Sequence, residues 1–153
     1  MFRFRARSAS SSTESQIQPE TPSFTTSGTE PRRIPRTGAP QANNLVDVFN
    51  VSDGRLSAPR RNASASAVPF AVSFDSHGRL AVANAGNSSV SSYRVNADGS
   101  LTTVTAGAED GQAALCWLVG TGDTFFGGNA GSSSISAFAV DNDGHVSLTG
   151  TPD

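Results

Sequence analysis

An all-β repeat architecture is what this 153-residue sequence predicts, and three observations carry the prediction. The first is a period. Asp-Gly pairs fall at Asp53-Gly54, Asp98-Gly99 and Asp143-Gly144, 45 residues apart each time. The second is a repeated phrase, since Asn84-Ala85-Gly86 returns as Asn129-Ala130-Gly131, again 45 residues on. The third is strand spacing ahead of each Asp-Gly pair. Val90, Tyr93 and Val95 answer Ile135, Phe138 and Val140, and Val46, Phe49 and Val51 answer both with a one-residue displacement. Self-similarity at a fixed period marks a repeat fold. No stretch places apolar residues at i, i+3, i+4 and i+7 over a helical length.

Within one period the elements follow in order. "PFAVSFD" (Pro69 to Asp75) is a short apolar run that "HG" then breaks. "RLAVANA" (Arg79 to Ala85) puts Leu80 and Val82 on one face and stops at Gly86. "SVSSYRV" (Ser89 to Val95) is enriched in β-branched and aromatic types, and "NADG" supplies the positive φ angles of a hairpin turn. "SLTTVT" closes the unit. Four strands in 45 residues match one blade of a β-propeller, whose known repeats run to roughly 40–50 residues. The copies are a half blade at 43–61, a blade at 69–105 and a blade at 113–150, ten strands in all. A closed ring needs roughly four to eight blades, so the expected fold is an incomplete β-propeller of about two and a half blades. Phe70, Phe74, Val82, Trp117, Leu118 and Phe125 are the residues expected to pack between blades.

Composition changes near residue 42. Residues 1–42 hold 13 Ser or Thr, five Pro, six Arg and three Glu, with no strand or helix period. Such a segment buries too little apolar surface to offset its ordering entropy, so a disordered leader is expected. Its start, "MFRFRARSASSS", lacks the 7–15 residue apolar core of a secretory signal. No run approaches the roughly 18 apolar residues of a membrane span, which leaves a cytoplasmic location as the default. Residues 43–153 carry five Arg against ten Asp or Glu and no Lys, which excludes a basic stripe for nucleic acid. Cys116, the single cysteine, sits in the apolar run "ALCWLVG" and reads as a small buried hydrophobe.

The stretch "VPFAVSFDSHGRLAVANAGNSSVSSYRVNADGSL", followed by "GQAALCWLV", resembles the bacterial lactonase-like seven-bladed β-propellers, the 6-phosphogluconolactonase and carboxymuconate cyclase type. The shared pattern is a Pro-Phe strand, a D-x-x-G-R-L hairpin, an N-A-G turn, an aromatic-x-Val strand and D-G-x-L. "DVFNVSDGRLSAP" (Asp47 to Pro59) fits the same pattern. The resemblance covers about 43–150 and implies a fragment of a propeller whose parent activity is lactone hydrolysis on a small lactone or sugar-derived ligand. No cofactor and no metal are expected.

Ligands usually meet a propeller on its loop face. The loops there are expected at 60–68, 106–112 and the two N-A-G turns, with Asn84, Asn87 and Asn129 among their polar groups. Arg60 and Arg61 can clamp a phosphate or carboxylate because guanidinium forks match both, and Gln112 completes the candidate substrate-binding set. Glu109 and Asp110 are the candidate general bases toward a water attacking a lactone. The structural alternative makes all of them solvated loop residues. Asn84 and Asn129 recur in each blade, which argues for turn-making, and "DNDG" (Asp141 to Gly144) reads as a turn rather than a calcium loop. An acid and an arginine lining one pocket favour the enzyme. A wall of Ser, Ala and Gly favours a non-catalytic propeller binding module. Two apolar sheet faces left in water would drive self-association, and no lactonase turnover is expected from these residues alone.

Overall fold

The computed structural model describes residues 44–53 and 55–151 in full and the backbone of residues 2–7. Alternating apolar and small residues, broken by Gly and Asp turns, give twelve strands and no helix among the described residues. They are β1 (Phe2–Arg7), β2 (Leu45–Ser52), β3 (Arg55–Leu56), β4 (Arg60–Ala63), β5 (Pro69–Phe74) and β6 (Leu80–Asn84). The chain continues through β7 (Ser89–Val95), β8 (Leu101–Glu109), β9 (Leu115–Thr121), β10 (Thr124–Asn129), β11 (Ser134–Val140) and β12 (Val146–Gly150). Strands β5 to β8 and β9 to β12 form two antiparallel four-stranded meanders, here sheets 2 and 3. Sheet 1 places β1 on one edge of β2 and both β3 and β4 on the other. The result is an all-β, incomplete propeller-like array of three blade-like sheets.

Two details depart from the sequence reading. The last strand of the first unit is split in two at Ser57–Pro59, where Pro59 has no N–H to give a ladder. Phe2–Arg7 is the exception to the structureless leader expected over 1–42, because it pairs antiparallel along β2 from Phe2↔Asn50 to Arg7↔Leu45. In "FRFRAR" apolar and charged residues alternate with the strand period, which the composition of the whole segment hides. The rest of that leader lies outside the described residues.

Packing follows the alternation. Between sheets 1 and 2, Val46 and Val48 meet Val72, Leu80, Val82 and Tyr93, with Phe74, Val95 and Leu101 against them. Between sheets 2 and 3, Ala81, Ala83 and Val90 meet Leu115, Leu118, Phe125, Phe138, Val140 and Val146. Val46 therefore does for sheet 1 what Val90 does for sheet 2, as the displaced alignment requires. Of the expected packing residues, Val82, Leu118 and Phe125 are buried and Phe70 and Phe74 half-buried. Trp117 is the correction. It pairs with Gly128 on the face of β9 opposite Leu118 and is 68% exposed.

Each sheet is bolted to the next by polar contacts at its hairpins. Asn62 Nδ2 donates to the Gly99 carbonyl at 3.1 Å, and its Oδ1 accepts the Leu101 amide at 3.0 Å. One seam later, Ser92 Oγ donates to the Gly144 carbonyl at 2.7 Å, and the Val146 amide donates to Thr105 Oγ1 at 3.0 Å. Gly99 and Gly144 take the positive φ expected at the hairpins, at 79° and 97°, while Asp98 and Asp143 do not. Arg79 is the strongest bolt. Its Nε donates to Asp75 Oδ2 at 2.5 Å, while Nη1 and Nη2 reach the carbonyls of Asn142 and Asp141 in sheet 3.

The entries to β5 and β9 share a further feature. Val68 and Ala114 hold φ angles of 56° and 58°, the left-handed region. Their carbonyls accept the amides of Ala85 and Ala130 at 2.8 and 2.9 Å.

Candidate functional site

The recurrent N-A-G turn is built by its side chains. Asn84 is buried at the end of β6, where Nδ2 donates to Ser91 Oγ at 2.9 Å and Ser89 Oγ at 3.2 Å. Asn129 repeats this on β10, donating to Ser136 Oγ at 2.9 Å and Ser134 Oγ at 3.3 Å. The asparagines are thus architectural, as expected, but by clipping hairpins and not by a left-handed backbone. Ser88 and Ser133 take the positive φ instead, at 45° and 54°. Gly86 and Gly131 are needed for close approach, since a Cβ at either would lie within 3.0 Å of Ala67 or Ala113.

Asp110, one candidate base, is buried at the seam between sheets 2 and 3. Its Oδ2 accepts Ser136 Oγ–H at 2.8 Å and its Oδ1 accepts the Gln112 amide at 2.9 Å. Gln112 Oε1 accepts Ser134 Oγ–H at 3.0 Å. Glu109 ends β8 rather than lying in a loop, and its carboxylate accepts Asn87 Nδ2–H at 3.4 Å. Asp110 and Gln112 therefore join Asn129, Ser134 and Ser136 in one hydrogen-bonded seam.

The arginines stand elsewhere. Arg60 and Arg61 lie in β4, not in a loop, and Arg60 pairs with exposed Asp98 at 3.7 Å. Asp98 precedes the start of β8, and Glu109 ends it. At about 3.3 Å per residue the strand sets these two ends on the order of 25 Å apart. Arg60 and the candidate bases are not brought into one pocket.

Metal-ligating atoms do gather at one point, where Asp75, His77 and Asp123 lie within 4.8 Å of one another. All three are committed to the hairpins. Asp75 Oδ1 accepts the His77 and Arg79 amides at 2.9 and 2.8 Å, and its other oxygen faces Arg79. Ser76 Oγ donates to Asp123 at 2.5 Å, and this bond, reinforced by nearby His77, holds the Asp123 carboxyl below its usual range. Asp141 Oδ1 likewise accepts the Asp143 and His145 amides, so "DNDG" is the turn expected. Burial pushes the Cys116 thiol up, which suits an inert side chain. A shallow depression of about 580 Å³ on the β2–β3 hairpin is lined by Asn50, Ser52, Asp53, Arg55, Leu56 and Ser57. It does bring an acid, Asp53, and an arginine, Arg55, to one place, but every residue lining it is exposed, so it encloses no substrate-sized site.

The largest unabsorbed feature is apolar. Trp117, Val119, Phe126 and Ile135 are 68%, 66%, 45% and 55% exposed and lie together on the outward face of sheet 3. Strand alternation carries the signal for this face, but only once the register shift at Gly128/Asn129 is known. No family model matches this chain, and no curated protein is similar to it.

Proposed function

We propose that this chain is a non-catalytic propeller-type module that works by docking a partner on the outward face of its third sheet. The observation that carries the reading is the cluster of Trp117, Val119, Phe126 and Ile135, all substantially exposed on one sheet face. Contiguous apolar patches of a few hundred Å² on a soluble protein mark interaction sites. Two further observations support it. The candidate bases stand at the far end of β8 from Arg60, and Asp110 is tied to Ser136 Oγ and the Gln112 amide. The lactone-hydrolase reading implied by the resemblance needs an acid and a cation around one substrate.

Purified chain assayed against 6-phosphogluconolactone and simple lactones is expected to give no turnover above the spontaneous rate. Lysines at Val119 and Ile135 are expected to leave the circular dichroism spectrum intact. They should remove whatever apolar reactivity the parent chain has, read as dye binding or association. Turnover that vanishes with Asp110→Asn, or unchanged reactivity in the double variant, would overturn the reading.

A further inference from the structure

We infer that the partner on this face is a second copy of the same chain, seated face to face about a two-fold axis. The inference rests on the docking reading above and adds the occupant. Continuity with the internal interfaces is the first argument. The seams bury one face of sheet 1 under sheet 2 and one face of sheet 2 under sheet 3. The outward face of sheet 3 is the third instance of that repeat face, and it alone is open. Its natural cover is another sheet.

Which sheet is decided by what the other end of the molecule offers. Alternation on β2 sends Val46 and Val48 toward sheet 2 and Leu45, Asp47 and Phe49 outward. Asp47 is nevertheless fully buried and Phe49 half-buried, so that outward face is not free to receive another copy's sheet 3. The sequence reading expects two open apolar faces, and the described residues present one. Among the described residues the remaining exposed large hydrophobics, Leu56 and Leu148, stand singly on β3 and β12. A molecule with two sticky ends grows as a filament, whereas one with a single self-complementary patch closes as a pair.

The chemistry of the patch suits such a pair. No charged side chain interrupts the rows Trp117–Gly128–Ile135 and Val119–Phe126–Ala137. Trp117 is already oriented, because Phe70 meets its ring edge-on with centroids 6.1 Å apart. A large aromatic fixed before binding loses little freedom on association and is a typical interface anchor. Gly128, beside the indole, leaves space at the surface for a side chain from the facing copy.

Trp117 is the only tryptophan, so its emission reports this face alone. Sedimentation velocity and intrinsic fluorescence on the full chain, across a dilution series, test the inference. The expected result is a species of twice 15.7 kDa that dissociates on dilution, with the emission moving red as it does. Val119→Lys should weaken association at least about a hundredfold, because the two-fold axis sets two lysines against one desolvated interface. Its circular dichroism and melting should match those of the diluted parent chain. A monomer at all concentrations that binds 1-anilinonaphthalene-8-sulfonate, with dye lost in Val119→Lys, overturns the second copy and leaves the docking face standing. A monomer that binds no dye overturns both. Particles growing beyond a dimer overturn the closed pair.

Discussion

Two faces of this molecule begin from the same repeat positions and end in opposite surroundings. On sheet 2 the rows facing sheet 3 read Ala71–Ala83–Val90 and Ser73–Ala81–Ser92 across β5, β6 and β7. On sheet 3 the matching rows read Trp117–Gly128–Ile135 and Val119–Phe126–Ala137. The first pair is small because Leu118, Phe125 and Phe138 must seat on it within the spacing of packed sheets, about 10 Å. The second pair carries bulk and meets no such neighbour. Repeat identity thus fixes the strand and the turn, while the size of each side chain follows what stands opposite it.

The sharpest break of this comparison pairs two phenylalanines. Phe138→Ala empties a buried position in the seam and is expected to cost about 3–5 kcal/mol in urea unfolding. Phe126→Ala, measured in the Val119→Lys background that keeps the chain monomeric, should cost under about 1 kcal/mol. Equal losses would mean that the two faces are not different in kind.

Next in size is Arg79→Ala, which leaves the Asp75 carboxylate buried without its cation and frees two carbonyls of the β11–β12 turn. Breaking a buried pair from one side costs on the order of 3 kcal/mol or more. Amide exchange at Asp143 and His145 should accelerate in the variant, and unchanged exchange there would remove the bolt from the account.

Transplanting the outward row inward sharpens the contrast from the other direction. Ala81→Phe installs in the seam the residue sheet 3 carries at the matching position, and overpacking should cost roughly 1–3 kcal/mol. A stability gain on thermal melting would show that the seam has room, and the size argument would fail.

The smallest effect is in acid. Ser100 holds Asp98, Ser76 holds Asp123 and the His145 amide holds Asp141 below the usual carboxylate range. A depressed carboxylate stabilises the fold above its unfolded pKa, near 3.9, and that contribution fades as pH falls through the lower folded value. The chain should therefore lose stability below about pH 4, and Asp141→Asn should flatten that limb of the profile. An unaltered acid limb in the variant would count against these turns.

Much of the architecture was legible because turns are local. Asp98-Gly99 and Asp143-Gly144 announce hairpins from two residues, and the displaced Val46, Val90 and Ile135 series assigns faces correctly. What escaped depends on distance. Trp117 reads as core in the run "ALCWLVG", and only the pairing of β9 with β10 reveals that it faces outward. Arg79 looks like one letter of a hairpin motif until sheet 3 brings the Asn142 carbonyl to 2.7 Å. Asp110 has the right chemistry for a base, yet Ser136, 26 residues on, ties it into the seam. The six-residue alternation of β1 was outweighed by the composition around it.

The left-handed entries at Val68 and Ala114 give the array a mechanical character. A non-glycine residue in that region costs on the order of 1–3 kcal/mol, and most for a β-branched one such as Val68. The amides of Ala85 and Gly86, and of Ala130 and Gly131, clamp the carbonyls around each entry and keep it loaded. Both β5 and β9 are edge strands of their sheets, so each has a ladder on one side only. Opening the clamp lets the entry relax to an extended backbone, so part of the cost of losing its hydrogen bonds is returned as released strain, like a latch set against its own spring.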